Sequence, residues 1–145
     1  MSFYADTSFL FSYYASDANS SRADSWRQLN PESLPFSVLH RLELRNAFEL
    51  AVFQGRISAV AANGLWTEIE SDLSAGLLNA SSINLDDSFH RAESLARQHT
   101  AQTGSRSLDI LHVAAAQMIA ADELVTFDIR QATLANRVGL RVAVL

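Results

Sequence analysis

The pattern of apolar and polar positions along the chain predicts short strands that alternate with helices. The strands are short apolar runs that end at turn residues or at acids, and the intervals between them repeat apolar residues at helical spacing. The predicted strands are 3–5, 34–38, a short segment within 77–85, 124–127 and 140–145, and the predicted helices are 7–15, 17–30, 39–54, 58–75, 86–100, 105–121 and 129–138. This alternation predicts an α/β fold, a three-layer α/β/α sandwich around a mostly parallel sheet.

Length and composition predict one domain, residues 1–145. A chain of 145 residues that is 48% hydrophobic can bury one core but is too short for two. No stretch approaches the roughly 20 consecutive apolar residues of a membrane span, and the first residues lack the basic and apolar regions of a secretion signal. We therefore expect a soluble, cytoplasmic protein that does not engage a membrane.

The absence of particular residue types excludes several classes of chemistry. Without Cys there is no disulfide, no thiolate metal site and no cysteine nucleophile, so any metal must be held by oxygen or imidazole. All eleven basic residues are Arg, so neither a P-loop nor a phosphatase site that holds phosphoryl oxygens with Lys can be built. The five glycines are scattered, which excludes a dinucleotide-binding fingerprint.

The net charge of −5 argues against general nucleic-acid binding, because affinity for phosphates comes from positive charge. Bound divalent cations would offset much of that charge if the acids cluster. Arg is a good bidentate phosphate ligand, but a composition bias of the whole proteome is the stronger explanation for the missing Lys.

Two acids stand directly after predicted strands. Asp6 follows the first strand and Asp128 follows strand 124–127. In parallel α/β sheets, ligands bind at the carboxyl ends of the strands, where the helices begin. Asp6 also has an ordinary interpretation, because Asp before Thr-Ser-Phe-Leu is a strong helix N-cap. Its position alone leaves both roles open.

A third acid, Glu43, interrupts the apolar face of a helix. It shares a stripe with Leu39 and Ala47, on a helix that we expect to be packed on two sides because it is apolar over most of its circumference. A buried charge is unfavourable unless it is paired or bound to metal. An ion pair with Arg41 or Arg45 is the ordinary explanation, but both arginines point to the opposite part of the helical wheel.

The fourth acid, Asp109, stands in the first turn of the most apolar helix. Arg106 at i−3 and His112 at i+3 lie on its side of the helix. The helix dipole favours an acid at this position, but by only about 0.3–1 kcal/mol at an exposed site. In so apolar a segment a ligand role is an equally good interpretation.

These four acids would repel one another if they converged, unless a cation lay between them. Hard divalent ions meet that need, since Mg²⁺ binds one or two carboxylates with several waters and Mn²⁺ accepts the same donors. The four His show no zinc-site spacing. If the four acids converge, a Mg²⁺ or Mn²⁺ site is therefore the interpretation that fits them.

Four motifs follow one another at specific spacing over essentially the whole chain. They are Asp6-Thr7-Ser8 after the first strand, Ser37-Val38-Leu39 leading to Glu43, the segment 108–116 around Asp109, and Thr126-Phe127-Asp128-Ile129-Arg130 followed by Gly139-Leu140. Together they resemble the PIN domain, and they are most similar to the VapC-type toxin ribonucleases of bacterial and archaeal toxin–antitoxin pairs.

The resemblance implies an endoribonuclease that depends on Mg²⁺ or Mn²⁺. Its acidic quartet, which binds the metal and is catalytic, would be Asp6, Glu43, Asp109 and Asp128. Hydroxyl positions beside this site correspond to Thr7, Ser8 and Thr126. Arg106 could contact a phosphate, and a structural ion pair with Asp109 is an equally good interpretation. Metal-activated water would leave 5′-phosphate and 3′-hydroxyl ends.

The resemblance also implies partners, namely an RNA substrate, a cognate antitoxin protein and a second copy of the chain in a homodimer. One alternative is a catalytically weak PIN-like module that binds RNA or protein. A metal-dependent phosphatase and a DNA nuclease are the further alternatives, although this short chain shows no sign of the arch with which a flap nuclease engages DNA.

Overall fold

A computed structural model of the chain describes residues 1–80 and 83–145. Its elements are β1 (Phe3–Ala5), α1 (Thr7–Tyr14), α2 (Ser20–Leu29), β2 (Leu34–Pro35), α3 (Val38–Phe53), α4 (Ala59–Ala75), β3 (Leu78–Asn79), α5 (Leu85–Thr103), α6 (Ser107–Met118), β4 (Glu123–Val125), α7 (Ile129–Arg137) and β5 (Arg141–Val142). The described residues form two compact units. Residues 1–6 and 83–145 make up the first unit, and residues 7–80 make up the second.

The first unit contains a three-stranded parallel sheet in the order β1, β4, β5. Ala5 of β1 lies opposite Val125 of β4, and the amide of Asp6 donates to the carbonyl oxygen of Val125 at 3.0 Å. Because the strands are parallel and in this register, Asp6 and the segment after β4 leave the sheet at the same carboxyl edge.

The opposite end of the same strand pair is fixed by Ser2 and Asp122. The backbone nitrogen and the hydroxyl of Ser2 donate to Oδ2 of Asp122 at 2.7 and 3.0 Å. Both hydrogen bonds lower the pKa of the Asp122 carboxyl, and the bond from the backbone of Ser2 has the larger effect. The register of β1 on β4 is therefore set at both ends of the pair.

Helix α6 lies in the core of the first unit. Every residue from Asp109 to Ala116 is buried. Tyr4 of β1 and His112 of α6 are both buried, and Tyr4 Oη lies 2.8 Å from His112 Nδ1 in a hydrogen bond. Buried polar groups are tolerated when they are paired in this way. The contact also fixes α6, and with it Asp109, relative to β1.

Aromatic packing holds the first helices of the second unit. Phe9 of α1 is fully buried, and its ring meets Trp26 of α2 edge-on with centroids 5.1 Å apart. Phe11 packs against Phe48 of α3 at 5.7 Å. In the same unit β2 and β3 form a two-stranded parallel sheet. The unit therefore has its own core.

Helix α3 of the second unit contacts α1 and α4 but leaves one of its faces exposed. At its start the amide of Ser37 donates to Nδ1 of the fully buried His40 at 3.0 Å. On its outer side Val38, Leu42 and Phe53 are 60%, 68% and 87% exposed. Two helices therefore pack against α3, as expected, but they do not cover its whole apolar circumference.

The α/β class with parallel strands, predicted from the sequence, is confirmed. Most element bounds shift by only a few residues, although the last strand is limited to Arg141–Val142. The predicted segment 77–85 includes residues 81 and 82, which lie outside the described residues. Within the described parts of the chain, none of the helices has the length and apolarity that a membrane crossing requires. The single domain remains a prediction.

Candidate active site

Asp6 and Asp128, the two acids that follow strands, are joined through one side chain. Asp6 is 2% exposed, and its Oδ2 accepts a hydrogen bond from the Thr126 hydroxyl at 2.7 Å. The same hydroxyl oxygen accepts from the amide of Asp128 at 2.9 Å. A buried carboxylate needs such donors, because its desolvation is otherwise costly. Thr126 thus holds the two acids in one hydrogen-bonded chain.

Asp128 uses its two carboxylate oxygens differently. Oδ1 caps α7 by accepting from the amides of Arg130 and Gln131 at 2.8 and 3.1 Å. Oδ2 lies 3.3 Å from Nη2 of Arg106. The acid is therefore both a helix cap and a member of the cluster at the edge of the sheet.

Arg106 connects Asp128 to Asp109. Its Nε donates to Oδ2 of Asp109 at 2.9 Å, while Nη2 of the same guanidinium reaches Asp128. The ion pair with Asp109 that the sequence allowed is present, and the phosphate contact remains a prediction. Because the Arg106 side chain is 66% exposed, such a bridge contributes about 0–1 kcal/mol. It can be displaced at little cost.

Asp109 has a second neighbour, Gln131, which is not among the residues predicted for the site. Its Nε2 lies 3.5 Å from Asp109 Oδ1, and the residue is 1% exposed. The sequence did contain a pattern that involves Gln131, because Asp128-Ile129-Arg130-Gln131 has the spacing of a helix capping box. That pattern would have turned the amide toward the backbone of Asp128. Instead Thr126 accepts from that backbone amide, and the Gln131 side chain faces Asp109.

The cluster in the first unit is negatively charged overall, since it contains the carboxylates of Asp6, Asp109 and Asp128 and the guanidinium of Arg106. Across residues 1–80 and 83–145, no three His, Asp or Glu side chains are arranged so that they could hold a metal ion. Two of the aspartates instead converge on Arg106. The arrangement is thus an acid cluster in which a cationic side chain is the shared counter-ion.

The remaining predicted site residues belong to the second unit. Glu43 is half-buried on α3, and its Oε2 accepts from the hydroxyl of Thr7 at 3.3 Å. Ser8 is half-buried on α1. Thr7 and Glu43 are therefore brought together, as a polar contact between the first turn of α1 and the second turn of α3.

The two arginines near Glu43 in sequence have other carboxylate partners. Arg41 forms an ion pair with Glu70 at 2.7 Å, and Arg45 approaches Glu49 at 3.5 Å. Both guanidinium groups also lie over the ring of Trp66, at 5.3 and 5.1 Å from its centroid. These arginines therefore face α4 and solvent, and they point away from Glu43, as the helical wheel indicated.

The chain was compared with known families and structures. A sequence model of the PIN domain matches residues 3–137. VapC20 of Mycobacterium tuberculosis, described as a sarcin–ricin loop cleaving toxin, is 16% identical over 91% of this chain and 94% of its own, with a TM-score of 0.69.

Two further solved structures are similar. FitAcB from Neisseria gonorrhoeae is 20% identical over 97% of this chain and 95% of its own, with a TM-score of 0.65. PAE2754 from Pyrobaculum aerophilum is 17% identical over 92% and 84%, with a TM-score of 0.61. No curated protein sequence matched. At such low identity these structures are evidence for the fold.

Proposed function

The chain belongs to the PIN domain family, and from that premise we propose that it is a metal-dependent endoribonuclease that acts as the toxin of a toxin–antitoxin pair. PIN domains are typically nucleases, which gives the nuclease class at the level of the family. The observation that carries the proposal is the chain of contacts that joins Asp6, Asp109 and Asp128 through Thr126 and Arg106.

The donor set fits a hard divalent cation. The aspartates offer carboxylate oxygens only, there is no thiolate in the chain, and negative charge is in excess at the cluster. Asp6, Asp109 and Asp128 would hold the ion, with Glu43 as the fourth acid. A bound Mg²⁺ or Mn²⁺ would polarise the scissile phosphodiester and lower the pKa of the attacking water. Arg106 must first release its carboxylates.

The chain's own residues supply position and charge. Thr126 orients Asp6 and the start of α7 through one hydroxyl, so a small displacement of β4 would disturb both acids. Arg106 is exposed enough to leave its carboxylates and contact an RNA phosphate, for which a guanidinium is a bidentate donor. Thr7 and Ser8 would orient ligands or water from the start of α1.

A divalent-ion titration with a defined RNA tests the proposal. We expect cleavage that requires Mg²⁺ or Mn²⁺, is abolished by a chelator, and leaves 5′-phosphate and 3′-hydroxyl ends; products ending in a 2′,3′-cyclic phosphate would contradict this chemistry. Asp6→Asn should abolish cleavage while RNA binding persists. A DNA of the same sequence and a small phosphoester should remain intact, which separates the ribonuclease from a DNA nuclease and a phosphatase.

A binding module is the second candidate, and one observation favours it. The described residues include no set of three acids already arranged for a metal, which is the expected resting state of a site that only engages RNA or protein. In that case Asp6→Asn would leave cellular toxicity unchanged, and no ion would induce cleavage. Loss of both toxicity and cleavage would support the enzyme.

The partners belong to the same proposal. We expect a cognate antitoxin, and a homodimer in the cytoplasm, on the strength of the family and of the resemblance to toxin ribonucleases. Light scattering on the purified chain should give the mass of two copies. A monomer at all accessible concentrations would remove the homodimer from the proposal without affecting the nuclease assay.

A further inference from the structure

Gln131 contributes a buried oxygen for which the described chain provides no partner. The residue is 1% exposed, and among the described residues no group forms a hydrogen bond with its Oε1. Its backbone amide donates to Asp128 Oδ1 at 3.1 Å, and its side-chain nitrogen lies 3.5 Å from Asp109 Oδ1. The oxygen therefore belongs to a side-chain amide that is held at Asp109, on a residue whose backbone is held at Asp128.

The orientation of this amide follows from the charges beside it. Exchanging oxygen and nitrogen would turn a carbonyl oxygen toward the carboxylate of Asp109, which can only accept hydrogen bonds while it is ionised. The nitrogen consequently faces Asp109, and the oxygen must find a donor elsewhere. A buried carbonyl without a donor is unfavourable, so a donor from outside the chain is expected at this position.

We propose that the Gln131 side-chain oxygen accepts a hydrogen bond from water in the hydration shell of a divalent cation held by the aspartates. Mg²⁺ and Mn²⁺ retain several waters when few carboxylates bind them, and those waters are strong donors. Gln131 is thus a positioning residue that acts through water. The inference rests on the proposed function, because it requires the ion.

The proposal explains why a neutral side chain is suitable at this position. The cluster already carries excess negative charge, and an amide can both donate to Asp109 and accept from water. A carboxylate here would keep the acceptor but lose the donor. A thioether of similar length would lose both, and it would also remove the unpaired oxygen from the interior.

The experiment measures the melting temperature of the full chain against Mn²⁺ concentration, starting in a chelator, for the wild type, Gln131→Met and Gln131→Glu. A ligand that binds only the native state raises that temperature. We expect Gln131→Met to need about tenfold or more Mn²⁺ for the same rise, as is typical when an outer-shell partner of a metal is lost. In chelator it should melt at the same temperature as the wild type or higher.

Gln131→Glu keeps an acceptor and should retain the wild-type Mn²⁺ dependence or respond at lower concentration. The control is Thr100→Val, because the Thr100 hydroxyl is another buried group that forms no hydrogen bond, to the aspartates or to any other group, among the described residues. This variant should leave the Mn²⁺ dependence unchanged. If Gln131→Met does not fold, Gln131→Glu carries the test, and weakened Mn²⁺ binding in it overturns the acceptor role.

Two failures remain distinguishable. If the wild type and Gln131→Met respond identically to Mn²⁺, the oxygen has only a structural role and this inference is wrong, while the nuclease proposal stands. If the wild type shows no response to Mn²⁺ or Mg²⁺ and does not cleave RNA, the proposed function fails and the inference fails with it.

Discussion

Helices α6 and α3 each carry an acid in an apolar sequence, but the two acids differ in burial and in hydrogen-bond partners. On α6, Asp109 is buried, lies within a run of buried residues, and is paired with Arg106. On α3, Glu43 is half-buried and accepts a longer hydrogen bond from Thr7, and the helix exposes several large apolar residues. Similar sequence patterns therefore gave a buried acid in the first unit and a half-buried acid in the second.

The difference shows what decides whether an acid can be buried. Asp109 is buried beside a cation and an amide, which compensate its charge, whereas the hydroxyl of Thr7 is a neutral donor. Apolar neighbours in the sequence indicate that a helix face has somewhere to pack. They do not indicate whether the acid on that face will find a cation.

The largest expected effect tests the difference between the buried and the exposed face of α3. Phe48 is fully buried and Phe53 is 87% exposed on the same helix. Phe48→Ala should lower the free energy of unfolding by about 3–5 kcal/mol, because it leaves a cavity. Phe53→Ala should change it by no more than about 0.5 kcal/mol. Urea denaturation measures both, and a large loss for Phe53→Ala would mean that the outer face of α3 is covered in solution.

The second prediction compares the two acids in catalysis. Asp109→Asn and Glu43→Gln should each lower kcat/KM for RNA by at least about 100-fold, because loss of a direct metal ligand should exceed the effect of losing an outer-shell partner. Glu49→Gln is the matched control, since Glu49 lies exposed on α3 beside Arg45. It should retain full activity.

If Glu43→Gln remained active while Asp109→Asn was inactive, the site would consist of the three aspartates, and of these two helices only α6 would contribute an acid to it. If both variants remained active, the acid cluster would not be the catalytic centre.

The third prediction concerns the hydroxyls that serve the acids. Thr126 is buried and donates to Asp6 at 2.7 Å, whereas Thr7 is half-buried and donates to Glu43 at 3.3 Å. In chelator, Thr126→Val should cost about 1–3 kcal/mol of stability because a buried carboxylate loses a donor, and Thr7→Val about 0.5 kcal/mol. Thermal unfolding measures both. Equal losses would show that burial does not set the value of these bonds.

The smallest effect is expected for Arg106→Gln. Its ion pairs are largely exposed, so stability in chelator should fall by no more than about 1 kcal/mol. Removal of this competing cation should lower the Mn²⁺ concentration needed to stabilise the protein, by up to about fivefold. Arg41→Gln, which breaks the exposed pair with Glu70, is the control and should leave that concentration unchanged. An unchanged Mn²⁺ requirement in Arg106→Gln would show that the guanidinium does not compete with the ion.

The sequence predicted the strand-end acids because their positions follow from local rules. Asp6 and Asp128 come after short apolar strands, and parallel pairing brings the ends of β1 and β4 to one edge. Local rules cannot give the contacts that depend on distant segments. Thr126 as the link between two acids, Arg106 reaching Asp128 as well as Asp109, and Gln131 facing Asp109 all require the tertiary arrangement.

The exposed face of α3 was missed for a similar reason. Periodicity tells which residues share a side of a helix, but it does not tell how many sides are covered. The N-cap of α5 is a smaller case. The helix predicted over 86–100 begins one residue earlier, at Leu85, and Asn84 caps it by accepting from the amide of Asp87 at 3.1 Å.

The two carboxylate oxygens of Asp128 have different partners, and this has an evolutionary consequence. One oxygen secures the first turn of α7, and the other is turned toward Arg106. Asn is as good an N-cap as Asp, so a single-base change at this codon could neutralise the charge and leave the helix intact. A lineage would thus lose the proposed chemistry while it kept its fold.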